Sequence, residues 1–185
     1  MNHTGTIEIE TERLILRRYT PSDAEMMFAN WANDPEVTRY LIWEPHPNPA
    51  STRELLEVWE KEYDDPKTYN WCIELKSIHQ PIGGISVTRL VEAVQAVEIG
   101  YCIGRAFWNQ GILTEALNAL IAFFFDQVGA NRIAAHHDTR NPASGKVMLK
   151  SGMKFEGVAR QAVLNNQGIY DAVQYAILKS DWQGK

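Results

Sequence analysis

The sequence predicts an α/β (α+β) domain on a mixed sheet, and three observations carry that prediction. Several short runs alternate apolar and polar residues with period two, while other runs repeat with the period of a helix. Three of the short runs, between Asn70 and Ile103, follow each other with no room for a helix between them, so they pair antiparallel. After them the chain reads helix, strand, helix and two strands, which requires crossover connections as well. A chain of 185 residues fits one domain spanning 1–185 and is long enough to bury a core.

The elements follow in order. Thr11 to Arg18, with Leu14 and Leu16 on one side, reads as a strand. Thr20-Pro21-Ser22-Asp23 signals a helix start, because Thr caps, Pro suits the first helical position and Asp favours the first turn. That helix carries Met26, Met27, Phe28 and Trp31. Pro45, Pro47 and Pro49 forbid helix between Glu44 and Pro49, which reads as a surface loop. Ser51-Thr52-Arg53-Glu54 has the S-x-x-E capping pattern and leads into Leu55, Leu56, Val58, Trp59 and Tyr63.

Trp71, Ile73 and Leu75 then alternate with Cys72 and Glu74 as a strand. The turn residues His79-Gln80-Pro81 and Gly83-Gly84 precede a strand over Ile85 to Leu90, and Val94 to Ile103 forms the next. A long helix starts near Gly111, with Leu113, Leu117, Leu120, Ile121 and Phe124 on one broad face, and stops at Gly129-Ala130-Asn131. Arg132 to His137 is a strand, and Pro142 to Lys150 is a short helix ending at Gly152. Lys154 to Leu164 and Ile169 to Leu178 flank the hairpin turn Asn165-Asn166-Gln167-Gly168.

Composition excludes several classes. The formal net charge is −5, and the chain has no basic stripe, so nucleic acid is not an expected partner. Cys72 and Cys102 make neither a disulfide framework nor a zinc pattern, which suits a reducing, cytoplasmic setting. The polar N-terminus lacks an apolar signal core, and the longest apolar run, Ala119 to Phe125, is too short to span a bilayer, so no membrane association is expected. Walker A, G-x-G-x-x-G, G-x-S-x-G and H-E-x-x-H patterns are missing.

Two stretches remain for chemistry. In Phe107 to Ala116 a strand ends, a polar loop with Gly111 intervenes, and an amphipathic helix begins. Such a loop aims backbone N–H groups from the positive end of a helix at phosphate oxygens, although it can equally be a plain strand-to-helix connection. Thr114 adds a hydroxyl. The second stretch is Asn141-Pro142-Ala143-Ser144, again where a strand gives way to a helix, and Asn141 there is either a cap or a ligand-binding residue. Two adjacent strand-to-helix edges make a cleft of the kind in which open sheets bind ligands. His136 and Asp138 share one face of a strand, but no third metal ligand accompanies them, so no metal is expected.

Taken together, Thr11-Glu12-Arg13-Leu14-Ile15-Leu16-Arg17, Glu98-Ile99-Gly100-Tyr101, Trp108-Asn109-Gln110-Gly111 with Thr114-Glu115-Ala116, Asn141 with Ser144, and Gly152-Met153-Lys154-Phe155-Glu156-Gly157 resemble the GNAT family of acetyl-CoA-dependent N-acetyltransferases. The resemblance covers Ile9 to Lys179 and is closest to the RimJ/RimL type, which acetylates N-terminal amines of ribosomal proteins. It implies a twisted, mostly antiparallel sheet of about seven strands with about four helices.

It further implies that Trp108, Asn109, Gln110, Gly111, Ile112, Leu113 and Thr114 bind the pyrophosphate of acetyl-CoA, with only the middle glycine of the family pattern kept. Tyr101, Cys102 and Ile103 would pair through their backbone with pantetheine, and Asn141 would hydrogen-bond it. Many members place a Tyr at the position of Met148 to protonate the leaving thiolate; Ser144 is the candidate acid here, or a helix-start hydrogen-bonding residue. Glu98 is the candidate base, or a structural Glu, while Val163 stands where RimL-like members offer another Glu.

Trp43, Glu44, His137, Tyr170 and Asp171 fall in regions that shape the acceptor pocket, and Asp171 otherwise ties the last hairpin. The acceptor is then a primary amine, either a peptide N-terminus or a small molecule. The competing reading is a protein that binds acyl-CoA with little turnover. The last hairpin also offers an edge strand to a second copy of the chain, so a homodimer is an expectation.

Overall fold

The computed structural model describes residues 1–182. Eight strands form one sheet: β1 (Ile9–Glu10), β2 (Leu14–Arg17), β3 (Asn70–Leu75), β4 (Gln80–Val91), β5 (Ala96–Ile103), β6 (Arg132–Asp138), β7 (Lys154–Asn165) and β8 (Gly168–Leu178), in the order β1-β2-β3-β4-β5-β6-β8-β7. Every neighbouring pair is antiparallel except β5 and β6. The expected mixed, mostly antiparallel sheet is therefore present, with one more strand than expected. The extra strand is β1, two residues that pair with Ile15 and Leu16 and are too short to leave a periodic signal.

Five α-helices accompany the sheet: α1 (Ala24–Met27), α2 (Pro35–Thr38), α3 (Pro49–Glu62), α4 (Ile112–Phe123) and α5 (Pro142–Lys150). A 3-10 turn, Pro21–Asp23, precedes α1, and single π turns, Phe28–Ala32 and Phe124–Val128, follow α1 and α4. The Asp23 carboxylate accepts the Thr20 backbone N–H at 2.8 Å and both guanidinium tips of Arg17 at 2.8 and 2.9 Å, which fixes the entry into α1.

The sheet is covered on both faces. On one, α4 buries Ile112, Ala116, Leu117, Leu120, Ile121 and Phe123 against Leu14, Leu16, Val97, Ile99 and Ile133. Each fully buried Leu or Ile contributes about 1.5–3 kcal/mol of hydrophobic stabilisation. On the other, Tyr19, Ala24, Met27, Trp31 and Leu56 pack around Cys72.

Three of the boundaries that differ from expectation have a local cause. Pro49 is the first residue of α3, not the end of a loop: Asn48 caps the helix, its Oδ1 accepting the Ser51 N–H at 2.9 Å, and proline is tolerated at the first helical position. The Ser51–Glu54 pattern thus lies inside the helix. β4 begins at Gln80, because Pro81 is accommodated beside a bulge between Ile73 and Glu74 of β3. Val94 belongs to a 3-10 turn that ends at Gln95 in a left-handed conformation, so β5 begins at Ala96.

Candidate active site

β5 and β6 run together for three pairs only, Ala96 with Arg132, Val97 with Ile133 and Glu98 with Ala134. Beyond them β5 stays on β4 as far as Ile103, and β6 stays on β8 as far as Asp138. The two strands diverge, and among the described residues the β6-facing backbone from Ile99 to Ile103 pairs with no strand. The gap opens into a cleft of about 1280 Å³ lined by Tyr101, Cys102, Ile103, the Trp108–Thr114 loop, Asn141, Ser144 and Met148.

The loop after β5 is built to present N–H groups. Asn109 and Gly111 have φ of 61° and 75°, and the left-handed turn at Gly111, a conformation glycine adopts without penalty, starts α4. Among the described residues, the N–H groups of Asn109, Gln110 and Gly111 meet no protein acceptor, and the first bond of α4 runs from Glu115 N–H to Gly111 O at 3.1 Å. Ile112, Leu113 and Thr114 add the unpaired donors of a helix start.

Side chains brace the loop. Trp108 Nε1–H donates to Ile103 O at 2.9 Å, and Gln110 Nε2–H to Ala106 O at 2.9 Å. Glu115 accepts from the Thr11 hydroxyl at 2.6 Å, from Arg13 N–H at 2.9 Å and from Arg13 Nε at 2.6 Å, while Arg13 Nη1 reaches Gln110 O at 2.9 Å. Burial raises the Glu115 pKa, but these donors outweigh it and hold the carboxyl below its ordinary value. Thr11, Arg13 and Glu115 stood in the sequence only as marks of resemblance, and the structure gives them the work of anchoring α4 to β2.

Asn141 precedes α5, yet its side chain makes no capping bond there. It lines the cleft with its amide unpartnered among the described residues, which leaves it available to a ligand. Ser144 Oγ–H donates to the Tyr101 phenol oxygen at 3.1 Å, and the Tyr101 O–H donates to Ser144 O at 3.0 Å. Burial raises the Tyr101 pKa strongly, so the phenol stays protonated. Met148 is buried in the cleft wall, and Val163 also lines the cleft.

Glu98, at the point where the strands part, accepts from His136 Nδ1 at 2.5 Å, and His136 Nε2 meets the Tyr170 hydroxyl at 3.1 Å. The bond from His136 lowers the Glu98 pKa below its ordinary value despite burial. Sequence reasoning weighed His136 with Asp138 as a metal pair; its meeting with Glu98 follows from the side-by-side placement of β5 and β6, which no local period signals. The expected pocket residue His137 lines the cleft but is largely buried, packed against Gly145 of α5, with Nδ1 on Asp138 O at 2.7 Å and its ring stacked on Tyr175 at 5.7 Å.

The remaining acceptor candidates divide. Trp43 lines the cleft, its carbonyl held by Asn166 Nδ2–H at 2.7 Å. Glu44 is exposed and does not line the cleft. Tyr170 lies behind His136, outside the cleft wall. Asp171 accepts the Gln161 N–H at 2.8 Å across the β7–β8 hairpin, the tie foreseen as its other role. Sequence reasoning missed Asn166, which grips the residues after α2 by two further bonds, to Thr38 O at 2.9 Å and from its own N–H to Leu41 O at 3.0 Å. Asp138 is committed to Arg140 and Asn165, and no cluster of three metal-ligating side chains is present among the described residues.

The model of the acetyltransferase (GNAT) domain matches residues 13–154. An uncharacterized N-acetyltransferase, YoaA, of Bacillus subtilis (strain 168) is 35% identical over 92% of this chain and 96% of its own. The [ribosomal protein uS5]-alanine N-acetyltransferase of Escherichia coli (strain K12) is 24% identical over 95% of this chain and 93% of its own. The fold also matches a crystal structure of the microcin C7 self-immunity acetyltransferase MccE in complex with acetyl-CoA and AMP, with a TM-score of 0.81, 23% identity, and coverage of 91% of this chain and 93% of that one. With its diverging strands, its N–H-lined loop and these matches, the chain belongs to the GNAT family and is an acetyltransferase.

Proposed function

We propose that this enzyme transfers the acetyl group of acetyl-CoA to a primary amine by direct attack. One observation carries the reading: among the described residues, a strand edge at Ile99–Ile103 that pairs with no strand runs into a loop of N–H groups without protein acceptors, and the amide of Asn141, also without a partner, lines the same cleft. That surface suits a pantetheine arm followed by a pyrophosphate. Acetyl-CoA supplies an activated thioester when bound. The residues around it have three tasks.

Glu98 takes the proton from the acceptor ammonium, leaving a neutral amine to attack. Ser144 returns a proton to sulfur. The Tyr101 phenol oxygen accepts the Ser144 Oγ–H at 3.1 Å while its own proton is held by Ser144 O, so Tyr101 orients the serine hydroxyl. The Trp43 wall of the cleft receives the acceptor, which we take to be a protein N-terminal amine, by likeness to the uS5-alanine relative, or a small-molecule amine. No helix is long and apolar enough to cross a membrane among the described residues, and we assign the chain to the cytoplasm.

The buried Met148, where many members carry Tyr, favours the second reading of acyl-CoA binding with little turnover. A thiol-release assay with acetyl-CoA and an amine panel, including peptides that start with Ser, Thr or Ala, separates the two. Turnover that falls in Ser144→Ala and Glu98→Gln without loss of acetyl-CoA binding supports the enzyme. Tight binding with no turnover on any amine supports the binding protein.

A further inference from the structure

Glu98 and His136 line two cavities at once. One is the main cleft; the other is a smaller cavity of about 340 Å³ that also touches Arg89, Arg132, Glu156 and Gln174. Glu98 uses only Oε1 toward the protein, on His136 Nδ1, and its Oε2 has no partner among the described residues. His136 is held from the far side by the Tyr170 hydroxyl. Tyr170 is 8% exposed, and burial pushes its pKa up to about 12, so it enters the chain as a protonated donor. A hydroxyl that donates to Nε2 of a neutral imidazole leaves the ring proton on Nδ1, facing the carboxylate.

We infer that His136, set in one tautomer by Tyr170, is a positioning residue for Glu98: it pins Oε1 and leaves Oε2 free for the acceptor ammonium. This rests on the reading of Glu98 as the base. The protons balance. The ammonium gives one proton to Glu98 Oε2; the nitrogen forms its bond to the acetyl carbon as the carbon–sulfur bond breaks; Ser144 gives its proton to the leaving sulfur and recovers the second proton lost by the nitrogen. Glu98 then releases its proton to water in the smaller cavity. The charged and titratable groups facing this chain are Arg89 opposite Glu98 on β4, Arg132 and its ion-pair partner Glu156 on β6 and β7, and Asp138 at the end of β6.

Two measurements test the inference. In the free protein, nitrogen-15 shifts of labelled histidine report the tautomer. His136 is expected to carry its proton on Nδ1, and Tyr170→Phe, which removes only the hydroxyl, is expected to mix the tautomers. A wild-type His136 protonated on Nε2 overturns the inference.

The second measurement is the pH profile of kcat/KM with acetyl-CoA and a peptide starting with alanine or serine. The acid limb in the wild type lies below the ordinary glutamate range, because His136 favours the ionised carboxylate. In His136→Ala it moves to higher pH, with kcat down on the order of tenfold and the KM for acetyl-CoA unchanged. A limb that stays in place in His136→Ala, beside an inactive Glu98→Gln, overturns this inference alone. Full turnover in Glu98→Gln overturns the base assignment as well.

Discussion

Replacing Gly145 by alanine tests how tightly α5 must approach the sheet. A Cβ at this position would lie 2.5 Å from His137 Nε2, 3.0 Å from Cδ2 and 3.2 Å from Cε1. The imidazole has no room to yield: it is buried, stacked on Tyr175, and tied through Nδ1 to Asp138 O at 2.7 Å. Relief therefore requires α5 to move, at about 1–3 kcal/mol for overpacking. For a chain of this size that lowers Tm by about 2–4 °C per kcal/mol. Because Asn141 and Ser144 sit at the start of the same helix, acetyl-CoA affinity should fall as well. Gly129→Ala is the control. Its added Cβ meets nothing within 4 Å, so it should cost only the left-handed strain at φ 77°, about 1 kcal/mol, and leave binding unchanged. Thermal unfolding and calorimetric titration with acetyl-CoA measure both effects. If Gly145→Ala matches Gly129→Ala in Tm and binds acetyl-CoA like wild type, the close approach has been misread.

Two further outcomes follow from the end of β6 and the hairpin. Asp138 is 2% exposed; burial raises its pKa, but Arg140 and Asn165 outweigh burial and hold it at about 2 instead of 3.8. A depressed carboxylate stabilises the fold above the ordinary pKa and loses that contribution as pH falls toward the folded one, here between about pH 4 and pH 2. Asp138→Asn should cost on the order of 1–2 kcal/mol at pH 7, discounted because Arg140 is half-exposed, and much less near pH 2; urea titrations at both values read the difference. Asn166→Ala removes the two Nδ2–H bonds, to Thr38 O and Trp43 O, and so loosens the segment that carries Trp43. The KM for the amine acceptor should rise several-fold with the KM for acetyl-CoA unchanged, and equal changes in both would argue against an acceptor-side role.

Local pattern carried the elements a long way. Alternation marked β3, and the apolar stripe from Leu113 to Phe124 marked α4, because both periodicities come from backbone geometry that each segment enforces alone. Gly111 was legible for the same reason, since a left-handed turn before a helix is a single-residue demand. Boundaries set by competing local signals were less legible: the capping pattern at Ser51 placed the start of α3 there, but the helix is capped by Asn48 and takes Pro49 into its first turn.

The chemistry of the site depends on pairings that no local period encodes. Glu98 meets His136, and His136 meets Tyr170, because β5, β6 and β8 lie side by side, which follows from strand order. The same order packed His137 into the cleft wall against Tyr175 and gave Asn166 its grip on the segment after α2. Sequence assigns each side chain to a face of its own strand or helix, through steric rules a few residues long. Which faces then meet is settled by burying the apolar stripes of α4 and the sheet together, a cooperative choice over the whole chain, and that choice brings a carboxylate, an imidazole and a phenol into one hydrogen-bonded line.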